Sequence, residues 1–310
     1  MNIILNARML KISFIFLCFS SLFAGFENYI KKAEGKTYTN KIRNIDFIYM
    51  INLDKRPEKF EKSCKQLYPY GIYPYRFSAV NGWELTVEAI NDIGLKYKPG
   101  MVRIMSTCYP PDYNGQPRHE LFGKDKNCGY FCHCLAPGTI GIFLSHISVL
   151  QDAYDSGYER IWVMEDDIEV VRNPNIIPDL IDELTFLVGD WDMFFTDVDI
   201  RNNSTGKYVP CKGYAKRPDF VPANTKRFHK KKRIGKNFRK IGARFGATSI
   251  IYNRSGIEKL LNFFKKYGPF LPYDMDNYIV NGIKMYTVSK DIITNRINAP
   301  SDNGTPPPDD

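Results

Sequence analysis

No stretch of the 310 residues approaches the roughly 20 consecutive apolar residues of a central membrane span, so a multi-pass membrane protein is excluded. There is no internal repeat, which excludes a solenoid or propeller. Cysteine is scarce, at seven residues. The close group Cys128, Cys132 and Cys134 with His133 has a spacing that fits no common zinc pattern, so zinc is the minor reading there. Outside Cys18 six cysteines remain, an even number that admits up to three disulfides in an oxidising compartment. Acidic residues are missing altogether between Lys226 and Arg244, where ten Lys and Arg fall. The whole chain carries 43 basic and 34 acidic residues, net +9, so this one stretch supplies the excess and the rest is nearly neutral. Only Phe228 and Phe238 interleave with those cations, too few rings for single-strand stacking, and no nucleic-acid partner is expected. A solvated loop is the first reading of the stretch. An anionic membrane or phosphate contact through Lys226 to Arg244, and a lid closing on a diphosphate, are the alternatives.

What is present is a core. An apolar share of 44% with 14% aromatics is enough to bury one large domain and excludes disorder for most of the chain. Residues 1–24, with Arg8 and Lys11 before the apolar run from Ile12 to Phe23, predict a signal peptide or an uncleaved anchor. Residues 25–44 are polar and lysine-bearing and are expected to be a linker. From Asp46 the pattern is that of alternating strands and helices. Phe47 to Ile51 predicts a strand buried on both faces, Pro57 opens a helix carrying Phe60, Cys64 and Leu67, and Asn81-Gly82 predicts a turn. Residues 83–137 give loop signals and are expected to be a cysteine-bearing insertion. A helix with Phe143, Ile147 and Leu150 follows, then strands Ile161 to Met164 and Trp191 to Phe195. The segment 202–243 is expected to be a mobile basic loop. Ala247 to Tyr252 predicts another strand, and Ser255 with Glu258 a capping box for the next helix. The tail, 299–310, rich in proline and aspartate, is expected to be disordered. These elements predict an α/β fold with a largely parallel sheet and helices on both faces, the domain proper spanning 45–298.

In open α/β sheets ligands bind at the carboxyl ends of the strands. Three predicted strands end there in Asn52-Leu53-Asp54-Lys55-Arg56, Glu165-Asp166-Asp167 and Asp197-Val198-Asp199. Adjacent carboxylates repel one another unless a cation neutralises them, and oxygen ligands favour Mg²⁺ or Mn²⁺. Such an ion bridges diphosphate oxygens in transfer reactions. His146 reads as a structural, hydrogen-bonding histidine.

These residues carry a resemblance. Ile51-Asn52-Leu53-Asp54-Lys55-Arg56-Pro57, Arg76 to Gly82, Gly138-Thr139-Ile140-Gly141 to Ser145-His146, and Glu165-Asp166-Asp167 resemble the ordered motifs of glycosyltransferase family 25. The later Ser255 to Leu261 and Leu271-Pro272-Tyr273-Asp274 extend it to about residues 46–290. The resemblance implies a GT-A-type, Rossmann-like nucleotide-sugar-binding sheet, a UDP-sugar donor, a divalent cation (Mn²⁺ or Mg²⁺), and inverting transfer, galactose by preference, to a glycan or protein hydroxyl. It implies Asn52, Leu53 and Arg56 at the nucleotide, Asp166 and Asp167 at the metal, and Asp274 as general base with Asp276 second. The chain departs from the family at Ile142, where a cysteine is usual, and at Thr196 to Asp199. The rival readings are a metal-dependent phosphohydrolase and a secreted carbohydrate-binding protein with a degenerate core. The leader fits the secretory lumen or membrane association, or the cytoplasmic face if the source is bacterial and the anchor uncleaved.

Overall fold

A computed structural model of the protein describes residues 25–36, 42–110, 112–123 and 127–307. The expected leader over 1–24 with Cys18, residues 37–41 of the expected linker, and 308–310 of the tail lie outside the described residues. In chain order the strands are β1 (Phe47–Asn52), β2 (Tyr75–Ser78), β3 (Met105–Cys108), β4 (Arg118–Leu121), β5 (Tyr130–Cys132), β6 (Arg160–Glu165) and β7 (Ile168–Val170). They continue with β8 (Met193–Phe195), β9 (Lys231–Ile234), β10 (Phe238–Ile241), β11 (Ser249–Asn253), β12 (Met285–Val288) and β13 (Ile293–Asn295). The helices are α1 (Pro57–Leu67), α2 (Val87–Ile93), α3 (Pro137–Asp155), α4 (Ile177–Val188), α5 (Arg254–Tyr267) and the single turn α6 (Tyr273–Asp276).

The main sheet has the order β2-β1-β6-β11-β8-β12-β10-β9. Strands β1, β2 and β6 are parallel, and so are β8 and β12, while β11 runs against both its neighbours. The sheet is therefore mixed rather than largely parallel. Its strands are apolar along their whole length because both faces are covered. Tyr49, Ile51, Val163, Phe195 and Ile250 pack on the side of α3 and α5, whereas Ile48, Met50, Trp162, Phe194 and Ile251 pack on the side of α1 and α4. Helices thus lie on both faces, as in a GT-A-type sheet.

Four local expectations are corrected. Residues 25–36 are not a free linker: Phe26 is buried and meets Phe143 edge-on, with ring centroids 6.0 Å apart, and Lys31 Nζ donates to Ser78 Oγ and Ala79 O, each at 2.9 Å. The expected insertion folds a small antiparallel sheet, β4-β3-β5, behind α2. The basic segment is ordered as the β9–β10 hairpin, turning at Gly235 (φ 55°) and pairing onto β12. Ser255 is no cap. The residue before α5 is Asn253, and Ser255 Oγ instead donates to Asp192 Oδ1 at 2.7 Å, because that buried carboxylate also draws Lys259 Nζ and the Lys284 N–H. The cysteines form no disulfide among the described residues, although Cys132 Sγ and Cys134 Sγ stand 3.1 Å apart.

One close approach positions the site. A Cβ at Gly82 would lie 1.8 Å from Pro137 O, and one at Gly141 would lie 2.5 Å from both Gly82 N and Val80 O. Ser145 Oγ then locks the same turn by accepting the Val80 N–H at 2.8 Å. Gly141→Ala is expected to destabilise by about 3 kcal/mol, since backbone overlap outweighs the ~1 kcal/mol that alanine gains in a helix. Thermal melting with the solvent-facing Gly157→Asn as control checks it.

Candidate active site

Parallel β1 and β6 bring their carboxyl ends side by side, with Ile51 in register with Glu165. The amino end of β11 joins them from the opposite direction, as the Glu165 N–H bonds Thr248 O at 2.9 Å. Asn52 and Asp166, 114 positions apart, meet there, Asn52 Nδ2 donating to Asp166 Oδ2 at 2.6 Å. Asn52 is 1% exposed and spends every polar atom: Nδ2 also reaches Arg56 O at 2.7 Å, and Oδ1 accepts from Arg76 Nε at 2.7 Å. It is held in one orientation by partners on three segments.

Two cavities open from this edge. The first is lined by Asn52, Leu53, Lys59, the 79–83 turn, Ser145, His146 and Asp166, and encloses about 730 Å³, part of it open to solvent. The second is lined by Arg201, Ala247, Thr248, Pro272, Tyr273 and Asp274. Glu165, Asp167 and Ile142 line both, so the acidic strand end stands at their junction. His146 Nε2 is 3.4 Å from Glu165 Oε1, and its ring stacks on Tyr273 with centroids 4.3 Å apart. It therefore orients the acidic strand end, as a structural histidine would.

Burial dominates the acid strengths here. It pushes the Asp166 carboxyl up to about 6 against the opposing hydrogen bond from Asn52. Asp167 goes up to about 7, burial first and then the charges of Glu165 and Asp166. Asp167 Oδ1 is buried with no hydrogen-bond partner among the described residues. Among the described residues no group of three or more His, Cys, Asp or Glu side chains is arranged to hold a metal ion. A hard cation that takes one or two carboxylates and completes its shell from phosphate and water fits that donor set, and the orphaned oxygen is where it fits best.

The sequence-derived residues divide. Asn52, Leu53, Asp166 and Asp167 line the first cavity, and Asp274 lines the second. Asp274 Oδ2 accepts the Gly246 N–H at 2.7 Å, and burial raises its pKa above the ordinary carboxylate range. Asp276 lies on neither cavity. It is fully buried against Arg217 Nη1 at 2.8 Å and accepts the N–H groups of Phe270 and Leu271. Arg56 is also off the cavity lining, bonded to Glu58 and Asp302. The third acidic strand end does not join the site: Arg244 Nη1 holds Asp197 Oδ1 at 2.9 Å and Lys231 holds Asp199 at 2.8 Å. The basic segment thus neutralises that end from within the fold. Lys59, Trp83 and Asp302 were missed. Lys59 stands three residues after Arg56, on the same helical turn, and that spacing was the available signal; Asp302 had none.

A mixed α/β sheet covered by helices on both faces, with a cleft at an acidic strand end, is consistent with a Rossmann-like GT-A fold. The model of Glycosyltransferase family 25 (LPS biosynthesis protein) matches residues 45–279, and the chain belongs to that family. It is 28% identical over 152 residues to a "Glycosyltransferase 25 family member" of Aedes aegypti, covering 49% of this chain and 21% of the relative. It is 27% identical over 152 residues to "Procollagen galactosyltransferase 1" of Danio rerio, with the same 49% and 21% coverage. It is also 28% identical over 129 residues to "Inactive glycosyltransferase 25 family member 3" of Homo sapiens, covering 42% and 18%. The matched stretch spans about a fifth of the length of these curated relatives. Among the described residues no helix is long and apolar enough to cross a membrane.

Proposed function

We propose that the chain is a metal-assisted glycosyltransferase that moves a sugar, galactose by preference, from a UDP donor to a glycan or protein hydroxyl with inversion. The observation that carries the reading is the pair of cavities meeting at Glu165 and Asp167. One holds a donor and the other an acceptor, whereas a phosphohydrolase needs only water beside the first.

The nucleotide lies against Asn52 and Leu53, whose positions are set by the β1 end. Asp167, with Asp166, would hold Mg²⁺ or Mn²⁺, which supplies positive charge to the diphosphate as it leaves. The acceptor hydroxyl enters the second cavity. Its oxygen forms the new bond to the anomeric carbon as the bond to the diphosphate oxygen breaks, and its proton passes to the Asp274 carboxylate. Burial favours the protonated form of Asp274, which strengthens it as a base toward a hydroxyl.

Incubation with UDP-galactose, Mn²⁺ and a panel of glycan and peptide acceptors, reading UDP and product, tests the proposal. Acceptor-dependent UDP release supports it. Phosphate release from simple esters without an acceptor supports the hydrolase, and glycan binding without turnover supports the non-catalytic rival that the inactive human relative keeps in view. Asp274→Asn is expected to lower kcat by about 10²–10⁴ with KM for donor little changed. Its melting temperature should hold or rise, because a neutral amide replaces a carboxyl that burial disfavours in its charged form.

A further inference from the structure

The first turn of α1 carries two cations converging on one anion. Arg56 and Lys59 are 8% and 6% exposed. Lys59 Nζ lies 2.5 Å from Asp302 Oδ2, and an Arg56 guanidinium nitrogen donates to the other Asp302 oxygen from 246 positions away. The backbone of the same residue is gripped as well, Trp83 Nε1 donating to Asp302 O at 2.9 Å. Gly138 makes room for it, since a Cβ there would stand 2.5 Å from that oxygen. Residues 300–303, within the tail expected to be disordered, therefore form a strap. They form part of the wall of the first cavity, and Ser301 and Asn303 also line the second.

A planar guanidinium and an ammonium at a helix amino terminus are the chemistry of a phosphate site. Leaving those two cations bare at 6–8% exposure is costly, so an anion belongs there in every state of the protein. A carboxylate is the weaker of the available anions, with one charge and two oxygens where a diphosphate offers more of both. We propose that Lys59, which lines the donor cavity, and Arg56, which lies off that lining but grips the same carboxylate, form a phosphate-binding site at the cavity wall, and that the Asp302 carboxylate fills it in the resting protein as an internal competitor. The proposal rests on the donor reading above and names the regulation of that site. Donor diphosphate exchanges one anion for another, so the cations stay paired while the strap is released. Because Ser301 and Asn303 line both cavities, release of the strap widens the junction between them, and donor binding precedes acceptor access.

The test uses the full chain in three forms, wild type, Asp302→Asn and Asp302→Ala, titrated calorimetrically with inorganic pyrophosphate and separately with UDP and Mn²⁺. Thermal melting verifies folding, and the asparagine variant keeps an acceptor oxygen in place. The expected result is pyrophosphate binding at least about tenfold tighter in both variants, equivalent to ~1.4 kcal/mol. Adding Lys59→Met to Asp302→Asn should remove the gain. In wild type, pyrophosphate should shift the emission of Trp83 as the strap leaves. Equal or weaker pyrophosphate binding in both variants overturns the competitor role and makes the strap a plain clamp. If pyrophosphate ranks the proteins as expected but UDP binds none of them, the strap stands and the UDP-donor reading falls. If UDP binds and neither ligand distinguishes the variants, the donor reading stands and the strap falls.

Discussion

Asp167→Asn is expected to reduce transfer by about 10³-fold or more and, in metal-free protein above neutral pH, to raise the melting temperature. Loss of activity follows from removing a buried carboxylate oxygen at the cavity junction that has no hydrogen-bond partner among the described residues. The gain in stability follows from linkage. Asp167 titrates at about 7 in the folded protein against an ordinary value of 3.8, and Asp166 at about 6 against the same value. A carboxyl raised in this way contributes its stability in full below the unfolded value, and loses it as pH rises through the folded one. Metal-free wild type should therefore lose on the order of 6 kcal/mol between pH 4 and pH 8 from these two groups. The asparagine variant should lose about half as much. Mn²⁺ with UDP should restore the wild type at pH 8 and leave the variant unmoved. Melting curves at both pH values, with and without Mn²⁺ and UDP, read all of this. A variant that melts lower than wild type at pH 8 while still transferring sugar would remove Asp167 from the site.

The largest effect on stability is expected at Arg217. Its side chain is fully buried and pairs with the equally buried Asp276 at 2.8 Å. Its other nitrogens cap the end of α5, donating to Tyr267 O at 2.7 Å and Gly268 O at 3.0 Å, and Nε reaches Asp219 at 3.0 Å. The pair braces the turn that carries Asp274. Arg217→Met leaves Asp276 charged in the interior without its cation, and should cost about 3–5 kcal/mol. Asp276→Asn should cost less, about 1–3 kcal/mol, because the amide oxygen still accepts from Phe270 and Leu271 while Arg217 keeps Asp219. Joining the two changes should recover part of the loss, since the double variant no longer strands a charge at position 276, although Asp219 still loses Arg217. Urea unfolding measures each value, and an Arg217→Met loss under 1 kcal/mol would refute the brace. If Asp274 serves as the proposed base, kcat of folded Arg217→Met should fall through displacement of that carboxylate.

Much of the fold was legible because strands and helices announce themselves locally. Phe47 to Ile51 and Ile161 to Met164 are continuous apolar runs, and only a strand covered on both faces keeps such a run out of water. Their polar ends, Asn52 and Glu165-Asp166-Asp167, then had to fall at the same edge once the strands were parallel. The glycines of the third motif were legible as motif, but not as the close contact between the 79–83 turn and α3 that requires them.

The charged residues were a different matter. Lys31 read as a linker residue, Arg56 as a nucleotide contact, Arg217 and Arg244 as residues of a basic loop, and Asp276 as a second base. Each is instead consumed by a partner that the topology delivers: Ala79, Asp302, Asp276, Asp197 and Arg217 in turn. By itself the sequence determined the strand cores, the polar edge they share and the family to which the chain belongs. The tertiary structure alone decided which charge meets which, where the strap lies and which aspartate faces a cavity. Burial of apolar surface depends on spacing within a few residues and can be read along the chain. An ion pair forms only where the fold carries two distant side chains to within a few ångströms, out of reach of water.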